Sequence, residues 1–364
     1  MAPIRPTSRG VKNGVAPIRP TSRGVKSGVA PSAWAEANTG AYAVRMRARA
    51  LLVTVLLLVG CAARGAVTVG PWRSPLEREH PLTGQIWDVK GERVVTPEAV
   101  AARLKDARYV LLGEKHDNPD HHAVQAALVR ALLASGRRPA VAFEMFTEEQ
   151  APALARHLAA APRDAAGVGE AVDWKRSGWP DFAFYQPIVQ AALDAGVPVV
   201  AANLAPATAR SVARGEPGAV PPELSSRYAL DRPLAPAAHA QLTAEIRDAH
   251  CGHLPASRVD SMVLAQRARD AALADSLVRS DADGGVLIAG VGHVRADHGV
   301  PLYLTARAPG SVIAVVAPLE VRDSLTKPEE YAALFDGTLP FDFVWFTPRM
   351  DYGDPCARFR LPRA

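Results

Sequence analysis

The chain has 364 residues, 48% hydrophobic and 22% charged, which suits one large domain with an insertion, or two domains. Its formal charge of +5 is unevenly placed: residues 1–60 hold nine Lys or Arg and a single acid, Glu36, whereas 61–364 hold 33 basic and 36 acidic residues. No Lys/Arg run interleaved with aromatics lies beyond residue 60, so the charge pattern argues against a nucleic-acid partner.

The chain opens on a near-perfect tandem repeat, with Ala2 to Lys12 recurring as Ala16 to Lys26. Rich in Pro and Arg, residues 1–45 are expected to bury no core and to be absent from the mature protein. Met46-Arg47-Ala48-Arg49 then reads as a charged leader, and Ala50 to Val59 as the short apolar run of a signal peptide over 46–60. A membrane span needs about twenty apolar residues, twice this run. Leu58-Val59-Gly60-Cys61 resembles the bacterial lipobox, which implies lipidation of Cys61 and a mature chain tethered to the outer membrane. The alternative is an ordinary cleaved signal followed by a chance cysteine.

Residues 61–84, with Pro71, Pro75 and Pro81, read as a linker. A hairpin-like opening follows over 85–95. Thr96-Pro97-Glu98 carries the cap and proline of a helix start, as does Asn118-Pro119-Asp120, after which His121, Val124, Leu128 and Leu132 share one face. Between them lies the apolar run Tyr109 to Leu112, ending at Gly113-Glu114-Lys115-His116. The pattern recurs: Ala140 to Phe143 ends at Glu144, Val197 to Ala202 at Asn203, and Val286 to Ala289 at Gly290-Val291-Gly292-His293. Four buried strands that end in polar groups predict an α/β fold, a mostly parallel sheet flanked by helices, with those ends on one edge. Val312 to Ala317 adds a strand, and Phe341 to Phe346 reads as an edge strand without a clear place. The α/β domain is expected over 85–203 and 283–364. The Ala-rich, proline-broken stretch 204–282 is expected to form a small inserted helical subdomain.

Glu114, His116, Glu144 and His293 offer two carboxylates and two imidazoles, a set suited to a divalent metal or to acid–base catalysis. A structural hydrogen-bond network along the sheet edge is the plainer reading. Arg295, beside His293, adds a fixed positive charge suited to a carboxylate or phosphate. The aromatic patch Trp174, Trp179, Phe182, Phe184 and Tyr185 is either core or the wall of a flat ligand, with Tyr185 supplying a phenolic oxygen of the kind that ligates haem iron. His250-Cys251-Gly252-His253 reads as a metal half-site or a surface turn. Cys251 and Cys356 could pair in an exported protein, but their spacing gives no sign of proximity.

Leu112-Gly113-Glu114-Lys115-His116-Asp117-Asn118-Pro119-Asp120-His121-His122, followed by Phe143-Glu144-Met145-Phe146, resembles the ChaN-like haem-binding lipoproteins. Trp174…Gly178-Trp179…Tyr185-Gln186-Pro187-Ile188, Ala265-Gln266…Arg269-Asp270 and Gly290 to Arg295 extend the resemblance across about 85–305, with Lys115 standing where glutamine is expected. It implies haem as cofactor and a role in iron uptake. It also implies a homodimer enclosing haem, a haem-uptake receptor as partner, and a tyrosine on the iron, for which Tyr185 is the choice. Trp174, Trp179, His293, Arg295, His116, Glu114 and Glu144 would line the haem. The same strand ends resemble a wider superfamily with erythromycin-esterase-like members. That likeness implies the alternative of a hydrolase, metal-dependent or not, with Glu114, His116, Glu144 and His293 as its catalytic residues.

Overall fold

The computed structural model describes residues 67–280, 282–354 and 356–357. The repeat, the signal peptide, Cys61 and the start of the 61–84 stretch lie outside the described residues. Eight strands form one sheet in the order β2-β1-β8-β7-β3-β6-β4-β5. They are β1 (Ile86–Asp88), β2 (Arg93–Val95), β3 (Tyr109–Leu112), β4 (Ala140–Thr147), β5 (Val199–Asn203), β6 (Gly285–Ile288), β7 (Ile313–Glu320) and β8 (Phe343–Thr347). Pairing is parallel from β8 through β5, and antiparallel only where β1 meets β2 and β8. The sheet is mostly parallel, as the unbroken apolar runs imply. Successive residues of each strand serve opposite faces. Val110, Leu112, Val141, Phe143, Val286 and Ile288 enter one core. Tyr109, Leu111, Ala142, Leu287 and Ala289 enter the other.

Helices cover both faces. On the first lie α1 (Pro97–Asp106), α2 (Pro119–Ala134), α3 (Ala151–Ala160), α4 (Ala165–Ala171) and α5 (Gln186–Asp194). Thr96 and Asn118 cap α1 and α2 through side-chain oxygens, with proline at the first turn, as read from the sequence. The stretch 204–282 holds α6 (Pro206–Ala213), α7 (Pro222–Tyr228), α8 (Pro236–Ala249) and α9 (Ala256–Arg279); α10 (Val300–Arg307) follows β6. Among the described residues, no helix is long and apolar enough to cross a membrane.

Three expectations are revised. The 204–282 stretch is helical but only part of it stands apart from the sheet. Ala268, Ala271, Leu273, Ala274 and Leu277 of α9 join the second core, while Val259 and Val263 at its other end meet Leu242 and Ile246 of α8 in a small separate cluster. The aromatic run near 341–346 is no edge: β8 lies between β7 and β1, with all five residues buried. Residues 67–84 do not behave as a free linker. Val67 and Leu82 are buried, the amides of Arg73 and Ser74 donate to Asp120, and Leu76 bridges Arg349.

From β3 the chain leaves toward α2 on the first face; from β6, its sheet neighbour, it leaves toward α10 on the second. The loops therefore part above these two strands, opening the crevice where α/β sheets take ligands.

Candidate functional site

Glu114 and His116 follow β3, Glu144 lies within β4, Asn203 ends β5, and His293 sits in the turn after β6. The parallel pairing brings them together, as the strand-end pattern predicts. Glu114 is buried. One of its oxygens meets His116 Nδ1 at 2.7 Å and accepts the Tyr185 hydroxyl at 2.7 Å; the other accepts Gln125 Nε2 at 2.8 Å and lies 3.4 Å from His122 Nδ1. Burial pushes this carboxyl up, but the charges and hydrogen bonds of His122, His116 and Tyr185 outweigh it and hold it below its usual range.

Glu144 is the second buried carboxylate. It accepts Arg269 at 2.5 Å and the Gly290 amide at 2.7 Å, with His293 Nε2 at 3.2 Å and His116 Nε2 at 3.9 Å. Burial again raises it, and the His293 and Arg269 charges pull it well below the carboxylate range. His293 Nδ1 meets Asp270 at 2.5 Å. Burial opposes the His293 charge, yet Glu144 and Asp270 lift this imidazole to about 9. Burial leaves Asp270 above its usual value despite the His293 charge. Asn203 donates to the Glu144 backbone carbonyl at 3.0 Å. The result is two imidazoles, each with Nδ1 on a buried carboxylate and Nε2 toward Glu144.

The two rings differ in access. His293 is buried, whereas the His116 side chain is 32% exposed and packs against Trp179, ring centres 4.7 Å apart. Among the described residues no group hydrogen-bonds His116 Nε2, since Glu144 at 3.9 Å is beyond reach. A Cβ at Gly290 would stand 2.9 Å from that nitrogen, so glycine leaves the ring its space. Its hydrogen bond to Glu114 and the Glu144 charge overcome burial and raise the His116 pKa.

Other expected site residues fall elsewhere. Tyr185 has no exposed surface, and burial plus the Glu114 carboxylate hold its phenol protonated far above its usual value. It braces Glu114 from within, and in this arrangement no oxygen is offered to an iron. Trp174 is core, packed on Phe146, Phe182 and Tyr185. Arg295 is spent on Asp297 and Glu245, at 2.7 and 3.1 Å. Cys251 is bonded to Cys356, so its sulfur is no metal ligand. Among the described residues no three His, Cys, Asp or Glu side chains are arranged to hold a metal ion. The carboxylate lone pairs already face Tyr, Gln, Arg and His donors.

Arg269 and Asp270 were missed as site residues, as were His122 and Gln125. A charged pair on the sheet-facing stripe of an Ala-rich helix was the available signal for the first two: Asp270 is fully buried between Ala268 and Ala271.

A family model described as haem-binding uptake, Tiki superfamily, ChaN matches residues 100–304. The chain belongs to the ChaN family. Glu114, His116, Glu144, Asp270 and His293 all lie inside the matched span. ChaN of Campylobacter jejuni, a protein described by its cofacial haem binding, aligns with TM-score 0.56 at 22% identity, covering 71% of this chain and 95% of that one. That likeness supports the ChaN fold drawn above. An erythromycin esterase in an open conformation aligns at 14% identity and TM-score 0.39, covering 79% and 99%. The type III effector HopBA1 aligns at 13% and 0.34, covering 76% and 97%. No curated protein sequence matches.

Proposed function

We propose that this member of the ChaN family binds haem on the solvent face shared by His116 and Trp179, with His116 Nε2 as the iron ligand. The observation that carries the proposal is the state of that nitrogen: it has no hydrogen-bond partner among the described residues and sits on a partly exposed ring beside an indole, with Nδ1 held by Glu114. A carboxylate on the far nitrogen fixes the ring's tautomer and orientation, as second partners of ligating histidines do. The porphyrin brings its own four nitrogens, so one protein ligand suffices although the described residues form no multi-residue metal centre. Trp179 offers flat apolar surface to the macrocycle. This replaces Tyr185 as the iron ligand, because the Tyr185 phenol is buried and protonated.

Haemin titration tests it. Wild type should show a saturable shift of the Soret band, His116→Ala should lose it, and Tyr185→Phe should keep it. A wild-type spectrum that never saturates would remove haem from the argument. Retention of the shift in His116→Ala would move the iron elsewhere. The proposal also carries a lipid anchor on Cys61, from the lipobox, and a role in iron uptake at the outer membrane, with a haem-uptake receptor as partner. Cys61→Ser should leave the membrane fraction. The cofacial haem of the Campylobacter jejuni protein supports pairing of two such faces in a homodimer. Sedimentation with and without haemin checks that pairing.

A second reading rests on the same cluster. His116, oriented by Glu114, could take a proton from water that attacks an ester carbonyl. The His293 imidazolium and Arg269 beside Glu144 would then stabilise the oxyanion; as the C–O bond breaks, His116 would return the proton to the departing alcohol and the acid would be released. Glu114→Gln should abolish such hydrolysis, and because Glu114 also holds His116 Nδ1 it should weaken haemin binding as well, so ester turnover is the readout that separates the two readings. Turnover of no ester by the wild type would retire this reading.

A further inference from the structure

Helix α9 runs against β6. Its Leu277 meets Gly285 at the start of that strand, while Gln266, Arg269 and Asp270 reach the cluster at the strand's far end. From Gln266 back to Ala256 the helix therefore continues past the sheet edge, roughly 15 Å at 1.5 Å per residue. The first half of α9 and the whole of α8 form a hairpin that overhangs the crevice, held together by their own cluster of Leu242, Ile246, Val259 and Val263. Its polar tie to the turn below is Glu245, 3.1 Å from both Arg295 and His298.

The tip of this hairpin is the turn His250-Cys251-Gly252-His253. Opposite it, the chain leaves β8 and is pinned along the same edge: Arg349 pairs with Leu76, the Met350 amide donates to Glu320, and Asp351 meets Lys115 at 3.3 Å, next to His116. A few residues on, Cys356 is bonded to Cys251, 105 positions away in sequence. The bond closes an arch whose feet are the β8 tail and the α8–α9 hairpin, with the crevice between them.

We propose that the Cys251–Cys356 bond is a covalent strap that holds the hairpin over the His116–His293 crevice, and that reducing it opens the crevice to a bulky ligand. Opening takes two electrons and two protons from a dithiol reductant, which leaves as its own disulfide while two cysteine thiols form. The two Cα atoms lie 5.5 Å apart, so the bond leaves the tip no freedom to swing away. Without it, the hairpin is restrained by Glu245, by its small apolar cluster, and by hydrogen bonds from Arg258 and Ser261 of α9 to the Ala213 carbonyl at the end of α6, with α8 held to the rest through Glu245 and the cluster. Local opening of so small a unit is far cheaper than unfolding the sheet. The gating part rests on the haem reading given above; the strap itself does not.

Amide hydrogen exchange separates the two. In the Cys251→Ser/Cys356→Ser double variant, and in wild type treated with a phosphine reductant, α8 and the 250–255 turn should exchange at least tenfold faster. Over the first minutes of labelling, before global unfolding contributes, strand β3 and the second half of α9 should stay protected. Haemin should associate with the double variant at least threefold faster, with an unchanged final spectrum. Unaltered exchange in α8 overturns the strap, as does an equal rise across the whole chain, which would mean a loss of global stability alone. Equal haemin association rates overturn the gating. If haemin binds neither form, the haem reading has failed, and the exchange result alone decides the strap.

Discussion

At the scale of single residues, charge inside the cluster sets a pH window. Glu144 is held well below its reference value of 4.5, so the folded state binds fewer protons there than the unfolded one. Its contribution is fully present above about 4.5 and is lost as pH falls below that value. His293 is raised from 6.5 to about 9, the opposite sign. Its contribution is complete below about 6.5 and fades as pH rises through about 9. The melting temperature should therefore peak near pH 5–6.5 and decline on both sides, and His293→Gln should flatten the alkaline limb. An alkaline limb unchanged by that substitution would contradict the assignment. Tyr185→Phe removes one donor to Glu114 without leaving a cavity. It should cost about 1–3 kcal/mol, read from chemical denaturation.

At the scale of elements, the turn after β6 is the most constrained piece. Alanine at Gly290 would press on His116 Nε2 at 2.9 Å, and that ring is fixed from behind by Glu114. Gly290→Ala should thus cost about 1–3 kcal/mol and weaken haemin binding, because the ring must move. Alanine at Gly292 would instead meet the Glu245 carboxylate, so Gly292→Ala should loosen α8 while sparing the His116 ring. Exchange rates of α8 and the haemin spectrum tell the two apart. In α9, Arg269→Ala strips Glu144 of its guanidinium and leaves a buried carboxylate with less compensation. A stability loss of about 3 kcal/mol is expected, the range for breaking a buried pair.

At the scale of the molecule, the Cys251–Cys356 disulfide closes a loop between positions 105 residues apart. In the chain-entropy model a loop of about 100 residues is worth about 4.7 kcal/mol. Replacing both cysteines by serine should therefore lower the melting temperature of a chain this size by roughly 5–10 °C. A change under 2 °C would mean that the reduced chain keeps the tail and hairpin together by other contacts.

The sequence by itself determined the parallel core of the sheet, strands β3, β4, β5 and β6, but not the place of β8. Apolar runs of four to six residues with turn signals on both sides can be satisfied only in a sheet covered on both faces, and βαβ spacing makes the neighbours parallel. It also determined that Glu114, His116, Glu144 and His293 would meet, because parallel strands end on one edge. The caps at Thr96 and Asn118 were legible for a local reason: each depends on a few consecutive residues. Tertiary structure decided what depends on distance across the fold. Tyr185 and Trp174 read equally well as ligand wall or core, and only packing against Glu114 and Phe146 buried them. Arg295 sits beside His293 in sequence, yet Glu245 and Asp297 claim its charge. Asp270 and Arg269 come from a helix that the sequence assigns to a separate helical subdomain, and only its packing into the second core brings them to the strand ends. The pairing of Cys251 with Cys356 is the extreme case. Two side chains 105 residues apart carry no local trace of one another, and only the course of the tail across the strand ends brings them together.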